Sequence, residues 1–72
     1  MIDLYKFEFS KEEIDYLIEN AGFNHENGEI DILLLRWKGK SNIQIAMQLK
    51  MSERTVNRRI KSIVKKILKV IR

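Results

Sequence analysis

The last third of the chain restricts the fold more than any other part. From Ser52 to Arg72 neither proline nor glycine interrupts a run in which Val56, Ile60, Ile63 and Ile67 recur at helical spacing. With Val56 at zero and about 100° per residue, the three isoleucines fall within roughly 40° of it, and Val70 and Ile71 lie close by. On the same wheel Arg54, Lys61, Lys65 and Arg58 cluster between about 140° and 200°, with Asn57 flanking them near 100°. Such a helix needs protein along its aliphatic edge. Its cationic edge suits solvent or a polyanion.

Three earlier segments carry helix signals. Ser10 followed by Glu13 forms a capping box, with Phe9 and Ile14 spaced as a hydrophobic staple, and Ile14, Leu17, Ile18 and Ala21 then repeat at helical spacing up to Gly22. A first helix over about residues 11 to 21 follows from that pattern. A second is marked by Ile30, Leu33, Leu34 and Trp37, with Asn24 or Asn27 as candidate caps and Gly39 as its stop. Ser41 with Gln44 repeats the capping box and opens a short third helix whose Ile45, Ala46 and Leu49 share a face. Ser52 is placed to cap the long last one, and no strand signal occurs. The expectation is an all-α fold, a small four-helix domain with a tri-helical helix-turn-helix core. Residues 1–72 are expected to form one domain, with 1–22 as an extra N-terminal segment and helix and 24–72 as the core.

Composition narrows the functional classes. The 72 residues include no cysteine and a single histidine, His25, so thiolate metal sites and the familiar nucleophile–base pairs are missing, as is any phosphate-cradling glycine loop. Neither an enzyme nor a metal or cofactor protein is expected, and no small-molecule substrate is evident. MIDLYKFEF lacks the basic start and apolar run of a secretory signal, and no stretch approaches the roughly 20 apolar residues of a membrane span, which points to a cytoplasmic protein. Charge is divided sharply. Residues 1–36 hold three basic and nine acidic side chains, whereas residues 37–72 hold eleven basic ones against Glu53 alone. A polyanionic partner for the second half is the reading this division favours. An interfacial membrane helix shares the amphipathicity, but its apolar face is usually bulky, and here it is isoleucine and valine suited to helix packing.

A short helix, a tight turn and a second helix make the helix-turn-helix arrangement. The stretch from Asp31 to Ile67, including Gly39, Ser41, Asn42, Ile45, Ala46, Leu49, Ser52, Glu53, Thr55 and Val56, resembles the LuxR/GerE-type helix-turn-helix, with the promoter-reading region of bacterial sigma factors a related match. The resemblance implies a transcriptional regulator that binds double-stranded DNA sequence-specifically, with the last helix in the major groove. Arg54, Thr55, Asn57, Arg58 and Lys61 are then the expected base readers, since arginine can pair bidentately with guanine and asparagine with adenine. Lys38, Lys40, Ser41, Asn42 and Lys65 are the expected phosphate contacts. Lys66, Lys69 and Arg72 are placed either to reach phosphate or to solvate the surface, and Glu53 favours the helix dipole rather than a base.

Three features stand apart from the family pattern. Lys50 occupies the turn, where glycine is common in such motifs. The leucine-threonine-x-arginine-glutamate opening is replaced by His25-Glu26-Asn27-Gly28-Glu29. Ile43 and Met47 lie about 160° and 200° from Ile45, on the side facing away from the motif's own core. Two aliphatics there call for a cover, either the N-terminal helix with Tyr5, Phe7 and Phe9 or a second copy of the chain. Leu68, Val70 and Ile71 offer another surface for a homodimer. A protein-interaction module that uses the helix-turn-helix as a scaffold, with its acidic half facing a partner, is the alternative function. RNA binding is a lesser one, since an aromatic stacking platform is lacking.

Overall fold

The computed structural model describes residues 7–71; Tyr5 and Arg72 lie outside them. Four helices follow one another: α1 (Lys11–Asn20), α2 (Glu29–Trp37), α3 (Asn42–Leu49) and α4 (Glu53–Ile71), and there is no strand among the described residues. The long α4 is the axis of the fold, packing against α1, α2 and α3, while α2 also meets α3. Val56, Ile60, Ile63 and Ile67 are all buried along it, joined by Val64. Around that edge gather Ile14 and Leu17 from α1, Ile30, Ile32 and Leu33 from α2, and Ile45 and Ala46 from α3. Full burial of such aliphatics is worth about 1.5–3 kcal/mol each, so this one seam supplies most of the driving force available to so short a chain.

Both capping boxes form. Ser10 Oγ accepts from the Glu13 N–H at 3.1 Å and the Ser10 N–H donates to Glu13 Oε1 at 2.8 Å. Ser41 and Gln44 exchange the same pair of bonds at 3.2 and 2.9 Å. The start of α2 departs from expectation. Neither Asn24 nor Asn27 caps it; Gly28 stands at the N-cap in the left-handed region, φ 81°, with no side-chain cap. Asn24 is instead spent on the turn before it, where its Oδ1 accepts from the N–H groups of Glu26 and Asn27, in the manner of an Asx turn. Glycine at 28 is required by its backbone angle; a Cβ there would also come within 2.8 Å of the terminal methyl of Met51, a flexible side chain able to shift aside.

Helices α2 and α3 end with the same hydrogen-bond pattern. After α2, Gly39 at φ 94° lets its own N–H reach Arg36 O and the Lys40 N–H reach Leu35 O. After α3, the Lys50 N–H reaches Met47 O and the Met51 N–H reaches Ala46 O, but the left-handed residue is lysine, at φ 56° and ψ 43°. A Cβ in this region costs about 1–2 kcal/mol. Lys50→Gly is therefore expected to raise stability by about 1 kcal/mol after the entropic cost of glycine. A urea midpoint at or below that of the parent protein would show that the turn holds no such strain.

The N-terminal segment covers α2 and α4 rather than α3. Phe7 is buried, and the Trp37 indole N–H donates to Phe9 O at 2.6 Å, clipping the segment to the end of α2. Helix α1 lies against α4, so the expected cover over α3 is not provided by α1, Phe7 or Phe9: Ile43 and Met47 are 57% and 75% exposed. The reason is geometric. The buried side chains of α1, Ile14 and Leu17, with the partly buried Ile18, join the core where α1 packs on α4.

Candidate nucleic-acid interface

With one edge of α4 sealed in the core, its opposite edge is presented to solvent. Arg54, Asn57, Arg58 and Lys61 are exposed and, with Glu53, line one shallow surface groove along the first two turns of the helix. These are four of the five side chains expected to read bases. Thr55 is not among them. It is half-buried and belongs to the opening of α4: the Ser52 hydroxyl donates to Thr55 Oγ1 at 2.8 Å while Ser52 Oγ accepts the Thr55 N–H at 3.1 Å. Its position about 100° from Val56, on the side opposite Asn57, explains the difference.

The expected phosphate contacts divide in a similar way. Lys38, Lys40 and Ser41 are exposed around the connection from α2 to α3, and Ser41 also closes its capping box. Lys65 is exposed on the same stripe as Arg54, eleven residues along and so about 16 Å farther down the axis. Asn42 is half-buried and bonded to other side chains of the protein. Its Oδ1 accepts from Arg36 Nη1 at 2.6 Å and its Nδ2 donates to Asn57 Oδ1, so α2, α3 and α4 are tied together at the edge of the groove. Only the second N–H of the Asn42 carboxamide is left to reach a phosphate while both bonds are kept. Lys69 is exposed at the far end of α4, beyond Lys65.

Two basic side chains of α4 are turned inward. Arg59 donates to Asn27 O at 2.7 Å, bracing the turn before α2. Lys66, which the sequence leaves open as a phosphate contact, is ion-paired with Glu29. Glu29 is 2% exposed and carries the only acidic group buried among the described residues. Besides Lys66 its carboxylate accepts from the Ser62 hydroxyl at 2.9 Å and from the Asn24 N–H at 2.7 Å. Burial acts to raise its pKa; the hydrogen bond from Lys66, the Asn24 backbone N–H, the Ser62 hydroxyl and the Lys66 charge together outweigh this and hold it below the ordinary glutamate value. This cluster ties the start of α2 to the C-terminal half of α4. The sequence contained its signal: Glu29 precedes Leu33 by four residues and Ile32 by three, which places an acid on the buried face of α2.

Among the described residues no group of side chains could hold a metal ion, and no helix is long and apolar enough to cross a membrane. The basic groove is thus the feature of the surface with a chemical direction, toward an anionic polymer. Comparison with known proteins agrees with that direction. The family described as "Bacterial regulatory proteins, luxR family" (GerE) matches residues 27–70, from the turn before α2 to nearly the end of α4. No individual curated protein and no solved structure matches. The family match covers well over half of the chain and takes in both Glu29 and Lys66 as well as the groove. The chain belongs to the luxR family of bacterial regulatory proteins, as a helix-turn-helix that binds DNA in transcriptional regulation and is not an enzyme.

Proposed function

We propose that the chain recognises a specific duplex sequence by laying the first two turns of α4 in the major groove. The observation that carries this is the shared exposed edge of Arg54, Asn57, Arg58 and Lys61, directly opposite the buried edge that anchors the same helix. Arg54 and Arg58 are assigned to guanine edges, Asn57 to a neighbouring base and Lys61 to a base or its phosphate. Lys38, Lys40, Ser41 and the first-turn N–H groups of α3 contact the phosphate backbone on one side, and Lys65 on the other. Thr55 serves the helix opening. In this scheme two chains pair on a two-fold-symmetric site, and the exposed Leu68 and Ile71 at the far end of α4 are the apolar side chains that support such pairing.

Selection from a randomised duplex pool tests the scheme as a whole. The expected product is an enriched motif with two half-sites a whole number of helical turns apart, about 10–10.5 base pairs or a multiple. An unenriched pool would remove the claim of sequence specificity, and solitary half-sites would remove the pairing alone. Lys40→Ala is expected to weaken all sequences alike and to flatten the dependence of log affinity on log salt by about one unit. Loss confined to the selected motif would reassign Lys40 to base recognition.

A further inference from the structure

We infer that Asn42 is a positioning residue that decides which edge of the Asn57 carboxamide is turned to DNA, and that the edge presented is the donor. The inference rests on the base-reading role proposed above for Asn57. A carboxamide taken alone can sit either way round, because its oxygen and nitrogen ends are nearly the same size. Here Arg36 removes the ambiguity. A guanidinium has donors and no acceptor, and Arg36 Nη1 lies 2.6 Å from Asn42 Oδ1. With its oxygen held toward α2, Asn42 has only its NH2 group to offer α4, and that group donates to Asn57 Oδ1. The Asn57 oxygen is thereby drawn toward α3. Asn57 lines the groove shared with Arg54, Arg58 and Lys61, and its NH2 group, at the other end of the same flat unit, is the end left for that groove.

The consequence for specificity is the reverse of a simple asparagine–adenine pairing, which needs both ends of the carboxamide against the base. A donor edge seeks an acceptor: purine N7, guanine O6 or thymine O4. The amino group of cytosine finds no partner on it. The base nearest Asn57 is therefore selected for its acceptor, with guanine or thymine favoured and cytosine disfavoured.

Parallel selections with the full chain and with Asn57→Ala, Asn42→Ala and Asn42→Asp test this. Asn57→Ala identifies the base pair whose preference depends on that side chain. In Asn42→Asp one carboxylate oxygen remains with Arg36 and the other requires a donor, so the Asn57 carboxamide turns over and exposes its oxygen. The preference at that base pair should then shift toward a base offering an N–H, cytosine or adenine, by about three- to tenfold in relative affinity. Asn42→Ala should flatten the preference at the same pair and leave the others intact. Overall affinity also falls in Asn42→Asp because of the added negative charge, so the relative preference is the quantity to be read. An aspartate at the first position of α3 is favourable to the helix dipole, and thermal unfolding verifies each variant; should Asn42→Ala not fold, Asn42→Asp decides alone. Uniform weakening with an unchanged base preference in Asn42→Asp would overturn the inference while leaving the base-reading proposal standing. An Asn57→Ala profile identical to that of the parent protein removes the base-reading role itself, and the inference with it.

Discussion

Lys66→Met is expected to lower the unfolding free energy by about 3 kcal/mol at neutral pH, a large share of the roughly 4–11 kcal/mol a chain of this length can have. Glu29 stays buried in that variant, with the Ser62 hydroxyl and the Asn24 N–H as its remaining partners and no cation. An uncompensated buried charge is more costly than the loss of the attraction alone. The effect has a pH signature. In the parent protein the Glu29 pKa is lowered on folding, so its contribution is complete above the unfolded value near 4.5 and is lost as pH falls through the folded one. In the variant the hydrogen bond and charge of Lys66 no longer oppose burial, so the folded pKa should move up from its parent value and protonation should relieve the defect. Urea unfolding at pH 7 and at about pH 3 should therefore show two stability curves converging in acid. A difference of equal size at both pH values would mean that Lys66 contributes by packing its methylenes and not by its charge.

Arg58→Ala carries the largest expected effect on function. Arg58 is exposed and lies one residue beyond Asn57 on the groove, whose one acidic lining residue is Glu53. Its removal should weaken binding to the selected motif by about 1–3 kcal/mol, roughly five- to 150-fold, and relax the preference at one base pair. Arg58→Lys gives a sharper test, since it keeps the charge but loses the planar fork that meets guanine O6 and N7 together. Recovery of most of the affinity by lysine without recovery of base preference would confirm bidentate reading. Full recovery of both would assign Arg58 to the phosphate backbone.

Much of this was legible in the sequence because the deciding interactions are local. Each capping box lies within four residues, the aliphatic edge of α4 repeats with the helical period, and the basic stripe opposite follows from the same wheel. What was hidden depends on pairs far apart in the chain. Asn42 was expected at a phosphate because its residue type and helix position suit one; that Arg36 and Asn57 converge on it is a product of how three helices cross. Lys66 and Glu29 are 37 residues apart, so neither position alone betrays the other. The start of α2 was misjudged for a different reason. Asparagine satisfies a helix N-cap and an Asx turn equally well by type, and only the backbone path into Gly28 decides between them. The bare Ile43 and Met47 are the converse case, an apolar pair whose pattern correctly signals an outward face but not which element leaves it uncovered.

The double role of α4 limits how recognition can change over time. One rod is both keel and probe: rolling it by even a fraction of a turn to bring new side chains to the DNA would drag Val56, Ile60, Ile63 and Ile67 out of their sockets together. Interiors packed to crystal-like density resist that kind of rotation. New binding preferences should therefore arise by exchanging letters at 54, 57, 58 and 61 on a fixed mount, with the helix's angle of approach left as it is.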